Sequence, residues 1–342
     1  MKKVITISLA AIVLFALKAQ SQVGEPLKLI QTIPLPGLHD GDSDHFQVDM
    51  PGQRLFLAAE DNSAVEVIDL RANKLIHTIR GPKAPHSMAY DTQSKMLFVA
   101  DDGGPNQVEI YDGTSYKFLG AVPMQAHADA SIYDPASHLY YVSNGGKDAH
   151  ENYCLLSIID TTDGKKVGEI KLDADHIEAM ALERFGPRLF VNLTSKNAVA
   201  VIDRKKREVI ATWSNASEGL ANGPMAFDEA HHRLFVVSRE PDKVIVLDTN
   251  SGQIVAGLPC VGQFISDDAV YDPSLKRLYV AGTPFIEVFQ QRSPDHYQIL
   301  GQIPTAFHAI TAILLPQLQR YYVAVNHHGD TKAEIRVYQV VP

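Results

Sequence analysis

Leu55-Phe56-Leu57, Leu97-Phe98-Val99, Tyr140-Tyr141-Val142, Leu189-Phe190-Val191, Leu234-Phe235-Val236, Leu278-Tyr279-Val280 and Tyr321-Tyr322-Val323 are seven versions of one apolar trio. Their first residues are spaced by 42, 43, 49, 45, 44 and 43 positions. A second motif follows each trio. It reads Val67-Ile68-Asp69, Ile110-Tyr111-Asp112, Ile158-Ile159-Asp160, Val201-Ile202-Asp203 and Val246-Leu247-Asp248, with Gln closing the last two copies, Val288-Phe289-Gln290 and Val337-Tyr338-Gln339. A repeat of this period means one supersecondary unit used again and again, stacked in a line or arranged in a ring. The apolar segments are short and rich in Val, Ile, Phe and Tyr, which is strand chemistry.

Each copy divides into four strands, a to d. In the first copy these fall at about 45–49, 54–59, 64–69 and 74–79. Turn formers separate a from b, as in Asp49-Met50-Pro51-Gly52, Asp134-Pro135 and Asp272-Pro273. Tight-hairpin pairs separate c from d, as in Asp112-Gly113, Asp163-Gly164 and Ser251-Gly252. Four antiparallel strands repeated radially leave only short, protected edges. The expected fold is therefore all-β, a seven-bladed β-propeller with four antiparallel strands per blade. The seventh copy runs out at Pro342 after strand c, whereas Leu27-Lys28-Leu29-Ile30-Gln31-Thr32-Ile33 belongs to no other copy and resembles strand d. The N-terminal strand is thus expected to close the ring in the last blade. The blades are expected at about 43–80, 85–122, 128–172, 176–214, 222–259, 265–304 and 308–342 plus 27–33.

The tracts Tyr140-Tyr141-Val142-Ser143-Asn144, Leu278-Tyr279-Val280-Ala281 and Val201-Ile202-Asp203 resemble the YVTN-type repeats of YncE-like bacterial β-propeller proteins. The likeness runs over the whole chain after residue 22. It implies the propeller fold and a surface, periplasmic or DNA-binding role.

Lys2 and Lys3 precede an apolar run from Val4 to Leu17, and Lys18-Ala19-Gln20-Ser21-Gln22 follows it. Such a run is short for a membrane span and has the flanks of a secretory signal. Residues 1–22 are expected to be a signal peptide and 23–342 the mature propeller, periplasmic or extracellular, with no transmembrane segment in the mature chain. Removing Lys2, Lys3 and Lys18 takes the formal charge from −9 to −12. That acidity disfavours nucleic acid as a partner. The most basic run, Arg204-Lys205-Lys206-Arg207, is expected at a solvated hairpin tip, and His231-His232 at the surface. Cys154 and Cys260 fall in different blades and are expected to be free thiols. Asn192-Leu193-Thr194 and Asn215-Ala216-Ser217 match glycosylation sequons that are expected to go unused.

The start of each strand a should lie at one mouth of the central channel. Alignment on the trios places Asp44, His86, Asp129, Glu178, Gly223, Asp267 and Ile310 at one repeat position. Two residues earlier come Asp42, Ala84, His127, His176, Ala221, Ile265 and His308, and His45 and Asp268 are adjacent. The candidate ligand-binding residues are therefore Asp44, His45, His86, His127, Asp129, His176, Glu178, Asp267, Asp268 and His308. Spacing by two puts His127 with Asp129, and His176 with Glu178, on matching sides of a strand. His and carboxylate together suit a divalent metal ion, the one cofactor this cluster suggests. Asp40-Gly41-Asp42-Ser43-Asp44 opens like a calcium loop but lacks the later Gly and Glu of an EF-hand.

The same face should carry the longest loops, Ser143–Asn152 in the third copy and Asn326–Asp330 in the seventh. No nucleophile elbow, haem motif or phosphate loop is present. The reading that follows is a secreted or periplasmic binding or scaffold protein, expected as a monomer, that recognises a small molecule or protein at the channel mouth. The alternative is a metal-dependent hydrolase or lyase, lactonase-like or streptogramin-lyase-like, with its divalent ion at the same mouth.

Overall fold

The computed structural model describes residues 25–260 and 266–342. The expected signal peptide lies outside the described residues. Seven four-stranded antiparallel sheets form a ring. Blade 1 is made of strands a to d at Phe46–Asp49, Arg54–Ala59, Ala64–Asp69 and Lys74–Arg80. Blade 7 contains Ala312–Leu315, Arg320–Val325 and Glu334–Val340, and its outer strand is Leu27–Pro34. Leu27 pairs with Val340 and Ile33 with Ile335, so the first described strand closes the ring as the sequence predicts.

The trios are continuous apolar runs because both sides of strand b are covered. Leu55 and Leu57 pack toward blade 7, with Tyr322, Ile335, Val337 and Ile33. Phe56 points the other way, to Met88, Tyr90, Leu97 and Val99 of blade 2. Successive side chains on a strand face opposite sides, so each blade seals two interfaces with one short run.

A regular irregularity accompanies the outer strands. In every blade the c–d ladder slips by one residue, as between Val67 and Ile68 in blade 1. The skipped residues are Ile76, Leu119, Val167, Ile210, Val255, Leu300 and, on the closing strand, Ile30. A bulge of this kind steepens the strand twist that a propeller blade needs. Ile30 in the closing strand repeats the rule, so Leu27–Pro34 is a true fourth strand in its geometry as well as its pairing.

The acids of the a–b turns lie at the end opposite the candidate site, and they clamp neighbouring blades. Asp91 accepts from Thr161 Oγ1 at 2.6 Å, and Asp228 accepts from Gln291 Nε2 at 2.9 Å. Asp134 pairs with Arg204. Thr161, Arg204 and Gln291 each follow directly on the last residue of the second motif in the next blade, Asp160, Asp203 and Gln290. In blade 7, where Leu315 replaces the acid, it packs with Leu70 of blade 1, the same position, in one apolar cluster. The hairpin tip at Arg204–Arg207 is therefore not wholly solvated. Arg204 turns inward and donates to the carbonyls of Glu183 and Gly186, both at 2.6 Å. His231 likewise is not a free surface group, since its Nδ1 lies 2.8 Å from Asp228.

Both cysteines are free; Cys154 is buried and Cys260 half-buried. Asn192 and Asn215 are fully buried, which withholds both sequons from modification. Part of the expected third-copy loop is strand: Ser143, Asn144 and Gly145 extend strand b opposite Leu156, Leu155 and Cys154. Among the described residues no helix is long and apolar enough to cross a membrane.

Candidate functional site

The strands a converge on one mouth, and the segments leading into them carry the candidate residues. Most lie ahead of the strand rather than on it. Strand a begins at Phe46 in blade 1, Ser131 in blade 3, Ile177 in blade 4 and Ala269 in blade 6. Asp44, Asp129, His176 and Asp267 thus precede their strands, while His86 and Glu178 lie within theirs. His127 and His308 adopt positive φ of 62° and 51°. The alternation of a strand therefore does not explain why His127 meets Asp129. The left-handed turn at His127 folds its ring back instead, putting Nε2 3.3 Å from Asp129 Oδ2. His176 Nε2 lies 3.0 Å from Glu178 Oε1.

Blades 1 to 3 build the tightest part. His86 Nδ1 lies 2.7 Å from Asp44 Oδ2 and 3.5 Å from Asp129 Oδ1. One ligand atom from each of Asp44, His86 and Asp129 falls within 4.8 Å of the other two. His45 joins Asp44 to Asp268, at 3.4 and 3.3 Å. Asp268 turns away from the mouth to accept the Ala312 backbone N–H at 2.8 Å, so it ties blade 6 to blade 7. His308 sits at the rim, 3.4 Å from Asp42. The three acids of the Asp40–Asp44 segment diverge: Asp40 pairs with His327, Asp42 accepts from Asn326 at 3.0 Å, and Asp44 meets His86. They do not form one calcium loop.

Three participants were not singled out by the sequence reading. Glu60 lies 3.8 Å from His86 Nε2, and Asp102 lies 3.6 Å from His127 Nδ1. Arg239 bridges Glu178 at 2.9 Å and Asp267 at 3.2 Å. All three stand five residues after the first residue of their trio. Lining up that position gives Glu60, Asp102, Gly145, Thr194, Arg239, Thr283 and Asn326, a signal the alignment held. Gly223, the blade 5 residue without a side chain, makes room for Arg239. A Cβ there would come within 3.0 Å of Arg239 Nε and 3.2 Å of the Ser266 carbonyl.

The electrostatics follow from crowding of buried ionisable groups. Burial raises the Asp267 carboxyl well above its usual range, and Asp44 adds to the rise. Burial likewise raises Asp129. Glu60 is pushed up to about 7, first by burial and then by the acids around it, against the pull of His86. Asp44 goes the other way: burial would raise it, but His45 and His86 outweigh that and hold it low. Burial opposes a charged His86, yet the bond to Asp44 and the charge of Asp129 raise it to about 10. Burial also opposes ionisation of Glu178, but His176 and Arg239 bring it down to about 2. Such opposed shifts within one cleft mark a candidate site.

The cluster opens into a cavity of about 220 Å³ bordered by Asp44, His45, Glu60, Asp129, Glu178 and Asp267. Fold and site together define a class: a seven-bladed β-propeller with an acidic, histidine-rich channel mouth. Comparisons with solved structures bear out the fold. A chain of Kuenenia stuttgartiensis hydrazine synthase superposes with a TM-score of 0.73 at 17% identity, covering 88% of this chain and 96% of that one. A chain of the mitotic checkpoint complex gives 0.73 at 15% identity, covering 99% and 100%. The WD40 repeats of RRP9 give 0.70 at 13% identity, covering 89% and 96%. At such identities the likeness is one of fold alone. No family model and no curated protein matches the sequence.

Proposed function

We propose that the chain is an exported, monomeric binding protein of the YVTN-repeat kind that captures a small cationic ligand at the channel mouth. Export is supported by Lys2, Lys3 and the apolar run behind them, and the repeat kinship by the Tyr140–Asn144 tract. The observation that carries the binding reading is the cavity lined by Asp44, Glu60, Asp129, Glu178 and Asp267. Pockets for drug-sized organic molecules span roughly 300–1,000 Å³. A cavity of about 220 Å³ suits an ion or a short amine better. Two carboxylates about 4 Å apart repel by around 4 kcal/mol at an effective dielectric near 20, and a bound cation removes that repulsion.

The test is calorimetric titration of the mature chain with Zn²⁺, Mg²⁺, Ca²⁺ and spermidine. At least one should bind, and Asp129→Asn with Asp267→Asn should weaken it by more than about tenfold. If no cation binds the parent chain more tightly than the double variant, the reading is wrong. A second reading, a metal-dependent hydrolase or lyase, is favoured by the convergence of Asp44, His86 and Asp129. Hydrolysis of an ester or lactone panel by the metal-supplemented chain, lost in His86→Ala, would establish it; no turnover on any substrate would count against it.

A further inference from the structure

Asp44, His86 and Asp129, from three successive blades, bring one donor atom each within 4.8 Å of one another, and His127 adjoins the second oxygen of Asp129. Donor atoms on one ion at about 2.0–2.2 Å stand roughly 3.0–3.4 Å apart in tetrahedral or octahedral geometry. The separations here bracket that range: 2.7 Å from Asp44 Oδ2 to His86 Nδ1, 3.5 Å from there to Asp129 Oδ1, and 3.3 Å from Asp129 Oδ2 to His127 Nε2.

The arrangement behind the donors carries more weight than the distances. A metal-binding histidine usually gives its other ring nitrogen to a carboxylate, which fixes the ring and makes the free nitrogen a better donor. Both rings have a carboxylate near that nitrogen, at 3.8 Å for His86 and 3.6 Å for His127, within ion-pair reach. His86 presents Nδ1 to the centre with Glu60 beside its Nε2, and His127 has Asp102 beside Nδ1 with Nε2 facing inward. A separate observation points to a ligand. His127 Nε2 is enclosed by protein, and its contact with Asp129 lacks hydrogen-bond geometry, so it has no hydrogen-bond partner. A buried polar atom left in that state is costly unless something occupies the place it faces.

We infer that Asp44, His86, His127 and Asp129 form a binding site for a divalent transition metal of the zinc class. Two imidazoles with two carboxylates favour Zn²⁺, Co²⁺ or Mn²⁺ over the all-oxygen preference of Ca²⁺ and Mg²⁺. The inference rests on the mouth being a cation receptor and names which cation it takes.

The experiment uses the tag-free mature chain, stripped with chelator and titrated with Zn²⁺ and with Co²⁺. One equivalent should bind, and Co²⁺ should give the visible absorption of nitrogen and oxygen ligation. Asp102→Asn should weaken Zn²⁺ by about 10- to 100-fold through His127, as supporting partners of metal ligands do. His86→Ala and His127→Ala should each weaken it at least as much, and His296→Ala, exposed on the outer strand of blade 6, should not. Circular dichroism of each variant guards against misfolding, and Asp102→Asn keeps the test valid if a histidine variant fails to fold. Zn²⁺ binding that survives in His86→Ala and His127→Ala overturns the site. Spermidine binding without Zn²⁺ binding overturns the metal and leaves the cation receptor standing. Binding of neither overturns both.

Discussion

Arg239 reaches across a blade boundary to Glu178, its Nη1 2.9 Å from Oε1, while its other terminal nitrogen lies 3.2 Å from Asp267. One cation from blade 5 therefore serves acids of blades 4 and 6. Truncating one partner of a buried ion pair leaves uncompensated charge, with a typical cost of about 3–5 kcal/mol. Because these groups keep some solvent contact, Arg239→Ala should lower stability by about 2–3 kcal/mol in urea unfolding. Arg239→Lys should recover part of the loss. Gly223→Val should act in the same direction by displacing the guanidinium. An unchanged midpoint in Arg239→Ala would show that the bridge carries no net stability.

Glu178 gives this region a defined pH dependence. Its carboxyl is held at about 2, burial being outweighed by His176 and Arg239. A carboxyl lowered on folding stabilises the native state above its unfolded value, and the benefit fades as pH falls toward the folded value. The stability gap between parent and Glu178→Gln should be on the order of 2 kcal/mol above about pH 5. It should close between about pH 4.5 and pH 2. A gap that does not change across that range would remove the ion pair as its source.

Asp267 should behave oppositely. Burial and the charge of Asp44 raise its carboxyl well above the usual range, so ionisation at neutral pH works against the folded state. Asp267→Asn should raise the melting temperature by about 2–4 °C at pH 7 while weakening cation binding. The gain should vanish in acid, where the native carboxyl is already protonated. A lowered melting temperature at pH 7 would mean that the contact with Arg239 outweighs the repulsion.

At the other end of the ring, Arg204 is structural. It pairs with Asp134 and donates to the carbonyls of Glu183 and Gly186, with only 12% of its side chain exposed. Arg204→Ala should cost about 3–5 kcal/mol. Ligand affinity at the distant mouth should stay the same, and calorimetry on the folded variant checks this. Coupled loss of affinity would show that the two ends are not independent.

Ring closure can be tested on two neighbouring apolar residues of one strand. Ile33 is 1% exposed in the cluster between blades 7 and 1, whereas Ile30 sits on the bulge at 43%. Ile33→Ala should cost about 2–5 kcal/mol, as buried truncations do, and Ile30→Ala less than about 1 kcal/mol. Equal small effects would mean that the closing strand contributes little to the ring.

The trios made the fold legible because each blade must bury both sides of strand b. That demand writes the same apolar run seven times, at a period no single sheet would need. The missing fourth strand after Gln339 and the spare strand-like segment at Leu27–Ile33 made closure legible too. The alignment also put Asp44, His86, Asp129, Glu178 and Asp267 at one level of the ring. It could not show that Asp44, His86 and Asp129 would meet in one group while Glu178 and Asp267 would turn to Arg239. That division depends on Arg239, which reaches both Glu178 and Asp267 through the space left at Gly223. Glu60, Asp102 and Arg239 escaped notice because their shared position holds Gly145, Thr194, Thr283 and Asn326 elsewhere, so no residue type repeats there.

The sequence by itself determined the scaffold: seven blades, four strands each, and a ring joined by its first strand. Those features follow from local strand chemistry and from burial, and every repeat must satisfy both. Only the tertiary structure decided the chemistry of the mouth. Asp44, His86 and Asp129 are separated by more than forty residues at each step and come together only when the ring curves. Their charges, and those of Glu178 and Asp267, are set by burial and by neighbours from other blades, and no stretch of sequence contains such a neighbourhood.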